Sequence, residues 1–267
     1  MRGMKVAALQ MVSGPDVAAN LATARRLLED AAAQGARLAA LPEYFCLMGQ
    51  HDRDKLAVAE ADGDGPMQAM LATAARELGL WIIGGTLPLR AAVANRVRNS
   101  TLVYAPGGER VARYDKIHLF AFDNGRESYD EGRVLEAGSE PTQFEAEGLR
   151  VGLSVCYDLR FPELFRAYAG ADLLAVPAAF TYTTGEKHWS LLLRARAVEN
   201  QCYVIAPAQG GRHPNGRRTW GHSMVVDPWG EVLAELPEGE GVVVAEVDAA
   251  RIAQVREQLP ALGHRRL

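Results

Sequence analysis

Cys156 stands where an apolar run, Val151 to Val155, gives way to Tyr157-Asp158-Leu159-Arg160-Phe161-Pro162-Glu163. The run has the length of a buried strand, and Pro162 suits the first turn of a helix through Leu164, Phe165 and Ala169. The cysteine is therefore predicted on a strand-to-helix turn, where backbone N–H groups and a positive helix end favour a thiolate and a developing oxyanion. Taken alone it is equally compatible with a buried apolar side chain. Glu43, in Leu41-Pro42-Glu43-Tyr44-Phe45, follows an apolar strand and is flanked by proline and aromatics, a setting that desolvates a carboxylate for proton transfer. Lys116, in Tyr114-Asp115-Lys116-Ile117-His118-Leu119-Phe120, lies among apolar and aromatic residues, where an ammonium steadies an oxyanion or a nearby carboxylate. Glu127 follows in Gly125-Arg126-Glu127-Ser128-Tyr129, with Glu131 close by. Each of these three also has a plainer reading, as a loop glutamate, a snorkelling lysine and a solvated loop charge.

The elements that must position these groups alternate between strand-length apolar runs and longer helical patterns, which marks an α/β protein. Strands are predicted at Lys5 to Met11, Leu38 to Leu41, Trp81 to Leu87, Asn99 to Tyr104 and Arg110 to Tyr114, with helices from Val17 to Ala31 and from Met67 to Leu78, the latter closed by Gly79. The second half repeats this logic. Strands at Val151 to Val155, Leu173 to Val176 and Tyr203 to Ala206 enclose the helix after Pro162 and one from His188 to Glu199. Late strands are predicted at Ser223 to Val226, Val232 to Leu236 and Gly241 to Val247, the first two around the turn Asp227-Pro228-Trp229-Gly230. No compositional break divides the chain, so residues 1–267 read as a single domain. Aperiodic stretches at Cys46 to Gly65 and Phe120 to Pro141 are candidate site walls.

Composition removes several function classes. With 267 residues, 48% hydrophobic, 23% charged and a formal net charge of -4, the chain has a full core and no basic surface for nucleic acid or anionic membranes. The segment leading into Val6-Ala7-Ala8-Leu9 is too short for a signal peptide, and no run approaches ~18 apolar residues, so a cytoplasmic protein is expected. The 3 cysteines, Cys46, Cys156 and Cys202, lack C-x-x-C spacing and read as free thiols. The 6 histidines show no H-x-x-x-H grouping, and no metal site or cofactor is expected. Gly221-His222-Ser223-Met224-Val225 lacks the second glycine of a serine nucleophile elbow, which leaves Ser223 structural.

Together, the Pro-Glu, Lys-x-His-Leu and Cys-Tyr-Asp-x-Arg-Phe-Pro-Glu segments resemble the signature motifs of the nitrilase superfamily of carbon-nitrogen hydrolases. The resemblance runs from Val6 to His264 and includes Arg194 to Asn200 and Gly221 to Gly230. It implies a four-layer αββα sandwich. It also implies Glu43 as general base, Lys116 as oxyanion stabiliser, Cys156 as nucleophile and Glu127 as a second carboxylate positioning Lys116, with Glu131 the alternative for that place.

In that scheme Glu43 takes the thiol proton as Cys156 attacks an amide carbonyl, and Lys116 and the Tyr157 N–H hold the oxyanion. A thioester forms, the amine leaves and water releases the acid. Arg194 to Ala206 with Ala208 to His213 most resembles the branch that hydrolyses deaminated glutathione to 2-oxoglutarate and cysteinylglycine. The competing branch is ω-amidase, acting on 2-oxoglutaramate and 2-oxosuccinamate, and a nitrile substrate is disfavoured by the short amidase-like chain. Phe180 and Thr181 are placed at the pocket by resemblance. Arg212, with His213, Arg217 and Arg218, offers positive charge for a substrate carboxylate, although the same segment also reads as a solvated hairpin loop. Asp158 and Arg160 are expected to pair with neighbours and fix the turn. A papain-like pairing of Cys156 with His188 or His222, and a non-catalytic scaffold, are the readings from other classes. The resemblance further implies a homodimer.

Overall fold

The computed structural model describes residues 3–168 and 170–266; Ala169, at the far end of the helix predicted after Pro162, lies outside the described residues. The first half runs β1 (Met4–Gln10), α1 (Val17–Ala33), β2 (Leu38–Ala40), α2 (Asp54–Val58), α3 (Pro66–Leu78), β3 (Trp81–Ile83), β4 (Leu87–Arg90), β5 (Val97–Tyr104) and β6 (Arg110–Asp115), then a hairpin of β7 (Ala121–Asp123) and β8 (Ser128–Asp130). The second half runs β9 (Gln143–Ala146), β10 (Leu149–Leu153), α4 (Pro162–Ala167), β11 (Leu173–Ala175), α5 (Tyr182–Asn200), β12 (Tyr203–Ala206), the hairpin β13 (Gly210–Arg212) and β14 (Arg218–Trp220), β15 (Ser223–Val226), β16 (Val232–Leu236), β17 (Gly241–Val247) and α6 (Ala249–Gln258).

A seven-stranded sheet has the order β17-β1-β2-β3-β5-β4 with β6 against β5, and a six-stranded sheet the order β16-β15-β12-β11-β10-β9. At the centre of each, three strands are parallel, β1-β2-β3 in one and β10-β11-β12 in the other. Parallel neighbours require crossovers, and α1, α3, α4 and α5 supply them.

The period of two along these strands divides the molecule into layers. Ala7, Leu9, Ala39 and Leu41 pack under Leu27, Leu28 and Ala31 of α1 and Leu71, Ala74 and Ala75 of α3. Their neighbours Val6, Ala8, Leu38 and Ala40 join the second sheet's core with Leu153, Leu173, Val204 and Met224. Trp189, Leu193 and Ala197 of α5 and Leu164 and Phe165 of α4 complete the outer layer over the second sheet. The result is a four-layer αββα sandwich. Each fully buried large apolar side chain contributes roughly 1.5–3 kcal/mol to this packing.

The sequence reading differs from the structure at several places. The predicted strand Trp81 to Leu87 is broken into β3 and β4 at Gly84-Gly85. Gly85 takes a φ of 52°, and a Cβ there would stand 2.1 Å from the Pro42 carbonyl oxygen, so glycine lets this turn press against the one that carries Glu43. Helix α5 begins at Tyr182, six positions before the predicted His188; Thr181 caps it, and Gly185, which weakens the helical pattern, sits against the Trp220 ring. The strand predicted through Val155 ends at Leu153. The two aperiodic stretches hold α2 and the β7–β8 hairpin, and α6, capped by Asp248, has no counterpart in the sequence reading.

Candidate active site

Glu43, Lys116 and Cys156 come from distant parts of the chain and converge at the same end of the sandwich. Glu43 lies just past β2, Lys116 just past β6 and Cys156 just past β10. All three are nearly closed to solvent, at 1%, 1% and 8% exposure. Such burial is tolerable for two charged groups only if they are paired and hydrogen-bonded.

The Glu43 carboxylate is fully engaged. Its Oε1 accepts from Lys116 Nζ at 2.8 Å and from Asn99 Nδ2 at 2.9 Å, while Oε2 accepts from the Ala179 backbone N–H at 2.9 Å. Asn99 belongs to β5 and Ala179 follows β11, so this side chain is held by both sheets. Tyr44 next to it takes a left-handed φ of 56°, and its N–H donates to Thr86 Oγ1. Lys116 continues the β5–β6 pairing through its N–H to the Asn99 carbonyl, which aims its side chain along the sheet edge into the site.

The second carboxylate on Lys116 is Glu131, at 2.8 Å from Nζ to Oε2. Glu131 also accepts from the Tyr44 hydroxyl at 2.7 Å and from the Phe120 N–H at 2.7 Å. This corrects the sequence assignment: Glu127 sits in the turn of the β7–β8 hairpin, where Thr183 Oγ1 donates to it at 2.9 Å, away from Lys116. The hairpin carries Glu127 outward, and the turn after β8 brings Glu131 back.

Cys156 occupies a sharp turn with a φ of 50°, a conformation costing a non-glycine residue of order 1–2 kcal/mol. Asp158 maintains it. This buried carboxylate accepts from the Val155 N–H at 2.8 Å, the Tyr114 hydroxyl at 2.6 Å and the His118 N–H at 2.9 Å, and faces His118 Nδ1 at 2.7 Å. The His118 ring stacks on Phe161 with centroids 3.7 Å apart. The histidine of the Lys-x-His spacing thereby ties the strand bearing Lys116 to the turn bearing Cys156. The Tyr157 N–H lies in the first turn of the short 3-10 segment Cys156–Arg160, where no preceding carbonyl of that segment reaches it.

Burial, reinforced by the Glu43 charge and only partly opposed by Lys116, pushes the Cys156 thiol well above its ordinary value. That direction favours the neutral thiol over the thiolate. Burial alone would lower Lys116, but Glu131 and Glu43 overcome it and hold the ammonium charged well above its usual range. Burial would raise Glu131, yet Lys116 keeps it ionised below its ordinary value.

A cavity opens over the thiol, lined by Tyr44, Phe120, Tyr157, Phe180, Thr181 and Arg217 besides Glu43, Glu131 and Cys156. Phe180 and Thr181 thus stand where the sequence reading put them. Arg212 does not: it is exposed at the end of β13, across the hairpin from Arg218, and the hairpin arginine that reaches the cavity is Arg217. Arg160 also lines the cavity, with its guanidinium 5.4 Å from the Phe180 ring centre, so it does more than brace the turn. His188 Nδ1 lies 3.2 Å from Arg160, and His222 is paired with Glu235 at 2.5 Å; neither is joined to Cys156 as a papain-like reading requires. Ser223 accepts from the Ala208 N–H, a structural role. Asn99, Tyr44 and Arg160 were missed as site residues. A buried Asn in the apolar strand Val97–Tyr104 was the one available signal.

Among the described residues, no group of three or more His, Cys, Asp or Glu side chains is gathered as a metal site, and no helix is long and apolar enough to cross a membrane. The chain matches the family model described as carbon-nitrogen hydrolase over residues 5–257. It is 42% identical to the deaminated glutathione amidase of a Synechocystis strain over 99% of each chain. It is 40% identical to the chloroplastic omega-amidase of Arabidopsis thaliana over 92% of this chain and 68% of that one. The crystal structure of Saccharomyces cerevisiae Nit3, a member of branch 10 of the nitrilase superfamily, superposes with a TM-score of 0.88 at 31% identity, covering 97% and 95% of the two chains.

Proposed function

The chain belongs to the carbon-nitrogen hydrolase family and is an amidase acting on a small molecule, and from that premise we propose that Cys156 cleaves an oxo-acid amide through a thioester. The observation that carries this reading is that Glu43 and Cys156 line one cavity and Glu43 is joined there to the buried Lys116 ammonium at 2.8 Å. Glu43 is the base: because the thiol rests neutral, it must be deprotonated as it attacks, and the carboxylate beside it receives the proton. The carbonyl oxygen becomes an oxyanion held by the Lys116 ammonium and the Tyr157 N–H. Glu43 then gives its proton to the departing amine. A water enters, Glu43 removes its proton, and the acid leaves as the thiol is restored. Glu131 takes no part in bond making; it positions Lys116 and keeps it charged.

For substrate we propose deaminated glutathione, cleaved to 2-oxoglutarate and cysteinylglycine, in line with the Synechocystis relative. Arg160 and Arg217 supply positive charge to a cavity walled by Phe120, Tyr157 and Phe180, a fit for an acid with an apolar spacer. The second reading is ω-amidase action on 2-oxoglutaramate, in line with the Arabidopsis relative. Release of 2-oxoglutarate by the purified protein from the two substrates in parallel separates them: a higher kcat/KM for deaminated glutathione is expected, and equal or reversed preference rejects the first reading. Cys156→Ala abolishes both activities if the nucleophile is assigned correctly. Residues 1–267 act as one catalytic domain in the cytoplasm, and the exposed Leu191 and Val198 of α5 with Trp229 give an apolar face for a homodimer. Light scattering of the protein and of Leu191→Glu checks that association.

A further inference from the structure

A second cavity adjoins the one over Cys156, and Tyr44, Phe120, Glu131 and Arg217 line both. Its other walls are Tyr129, Val134 and Leu135, with Asp52, Lys55 and Asp130. The charges in it are unevenly matched. Glu131 is paired with Lys116, an ammonium it shares with Glu43, and Asp130 is occupied by Arg133 at 3.2 Å and by the Gly132 N–H. Arg217 lies over the Tyr129 ring at 5.1 Å and has no carboxylate within ion-pair range among the described residues. The Lys55 side chain is only 12% exposed, its ammonium 4.8 Å from the Tyr44 ring centre, and its carboxylate neighbour is Asp52, at 3.6 Å and turned largely to solvent.

We infer that Lys55 and Arg217 form an anion subsite that binds a carboxylate on the leaving-group end of the substrate. The inference rests on the amidase reading for its direction, because Arg160 stands at the cavity over the thiol and is left for the acyl-side carboxylate. Tyr44, Phe120, Glu131 and Arg217 are common to both cavities, so a substrate of peptide length with its amide at Cys156 extends from the first into the second. Burial lowers Lys55, Asp52 and Glu131 offset this only in part, and Arg217 adds to it; an incoming carboxylate supplies what the ammonium lacks. A primary amide that releases ammonia has nothing to place there. An amide that releases a dipeptide with a free C-terminus does.

The test uses full-length Cys156→Ala protein, which binds without turnover, with Lys55 intact or replaced in Lys55→Met, which keeps the apolar stem. Calorimetry compares deaminated glutathione with its analogue in which the terminal glycine carboxylate is a carboxamide. A charge-assisted contact of this kind corresponds to a preference of about tenfold to a hundredfold for the acid. That preference is expected with Lys55 and should fall to near unity in Lys55→Met. Equal affinity for the two ligands with Lys55 present, the same ratio in both proteins, equal weakening of both ligands by Lys55→Met, or no binding of either ligand overturns the inference. Turnover by protein with Cys156 intact is followed separately. If deaminated glutathione is not hydrolysed but the Lys55-dependent preference persists, the substrate reading fails and the subsite stands; if it is hydrolysed and the ratio is near unity, the reverse holds.

Discussion

Glu131→Gln is the substitution that asks most of the proposed mechanism, because it changes one atom type in a side chain assigned no bond-making step. Glu131 Oε1 accepts from Tyr44 and Lys116, and Oε2 from Phe120 and Lys116. A glutamine offers one acceptor oxygen and places an NH2 donor against two donors at the other position. Lys116, 1% exposed, is then left with Glu43 as its single carboxylate. Hydrogen bonds to charged groups contribute about 1.5–3 kcal/mol, and breaking a buried pair costs up to about 3–5 kcal/mol. A loss near 3 kcal/mol falling on the transition state corresponds to a fall in kcat of ~10². KM should move far less, since Glu131 orients the ammonium instead of gripping substrate. Steady-state kinetics against 2-oxoglutarate release, with Glu127→Gln in parallel, provide the assay. Glu127 is a partly exposed hairpin residue with one hydroxyl contact, and its substitution should stay within about threefold. A near-normal kcat in Glu131→Gln, or an equal fall in Glu127→Gln, refutes the assignment of the second carboxylate.

Asp158→Asn should destabilise the fold by about 2–4 kcal/mol, because one carboxylate meets donors from Val155, Tyr114 and His118; urea denaturation measures it. Lys116→Ala should lower kcat by ~10² or more through loss of an oxyanion partner, and a near-normal rate removes the lysine from the mechanism. The carboxyl of Glu131 is depressed in the folded protein, so its contribution to stability is complete above the ordinary glutamate value and lost as pH falls through the folded one. Glu131→Gln should therefore flatten part of the acid-side fall in Tm. The Cys156 thiol is raised, so its alkylation by a haloacetamide should keep increasing with pH beyond the range where a free cysteine levels off. Peptide mapping should find Cys46 and Cys202, both sealed in the core, unmodified in native protein.

The layered architecture was legible because β1, β2, β10, β11 and β12 are apolar runs separated by crossover helices, and period and length report burial directly. What escaped was decided by contacts between distant segments. The break at Gly84-Gly85 exists because the Pro42 carbonyl presses there, and α5 keeps Gly185 because Trp220 packs against it. Neither neighbour is visible in local periodicity. The choice between Glu127 and Glu131 depended on the path of a hairpin, and four positions along the chain were enough to move a carboxylate from solvent-facing turn to buried ion pair. Arg212 and Arg217 were equally basic in sequence, and only the course of the hairpin separates them: Arg212 ends β13 exposed and opposite Arg218, while Arg217, in the loop before β14, reaches the cavity.

The hydrogen bonds of Glu43 reach Asn99 in one sheet and the segment after β11 in the other, and Gln209 adds a bond from its own loop to the Glu43 carbonyl. The proposed base therefore works as a latch between two leaves. Any fluctuation that slides or parts the leaves misplaces it, even if each sheet stays intact. Activity should then vanish at lower denaturant than the helical signal does, and substrate analogues that fill the cavity should slow the exchange of amides in both leaves together. In this enzyme catalytic competence would report on the seam of the sandwich, and the seam would open before either half unfolds.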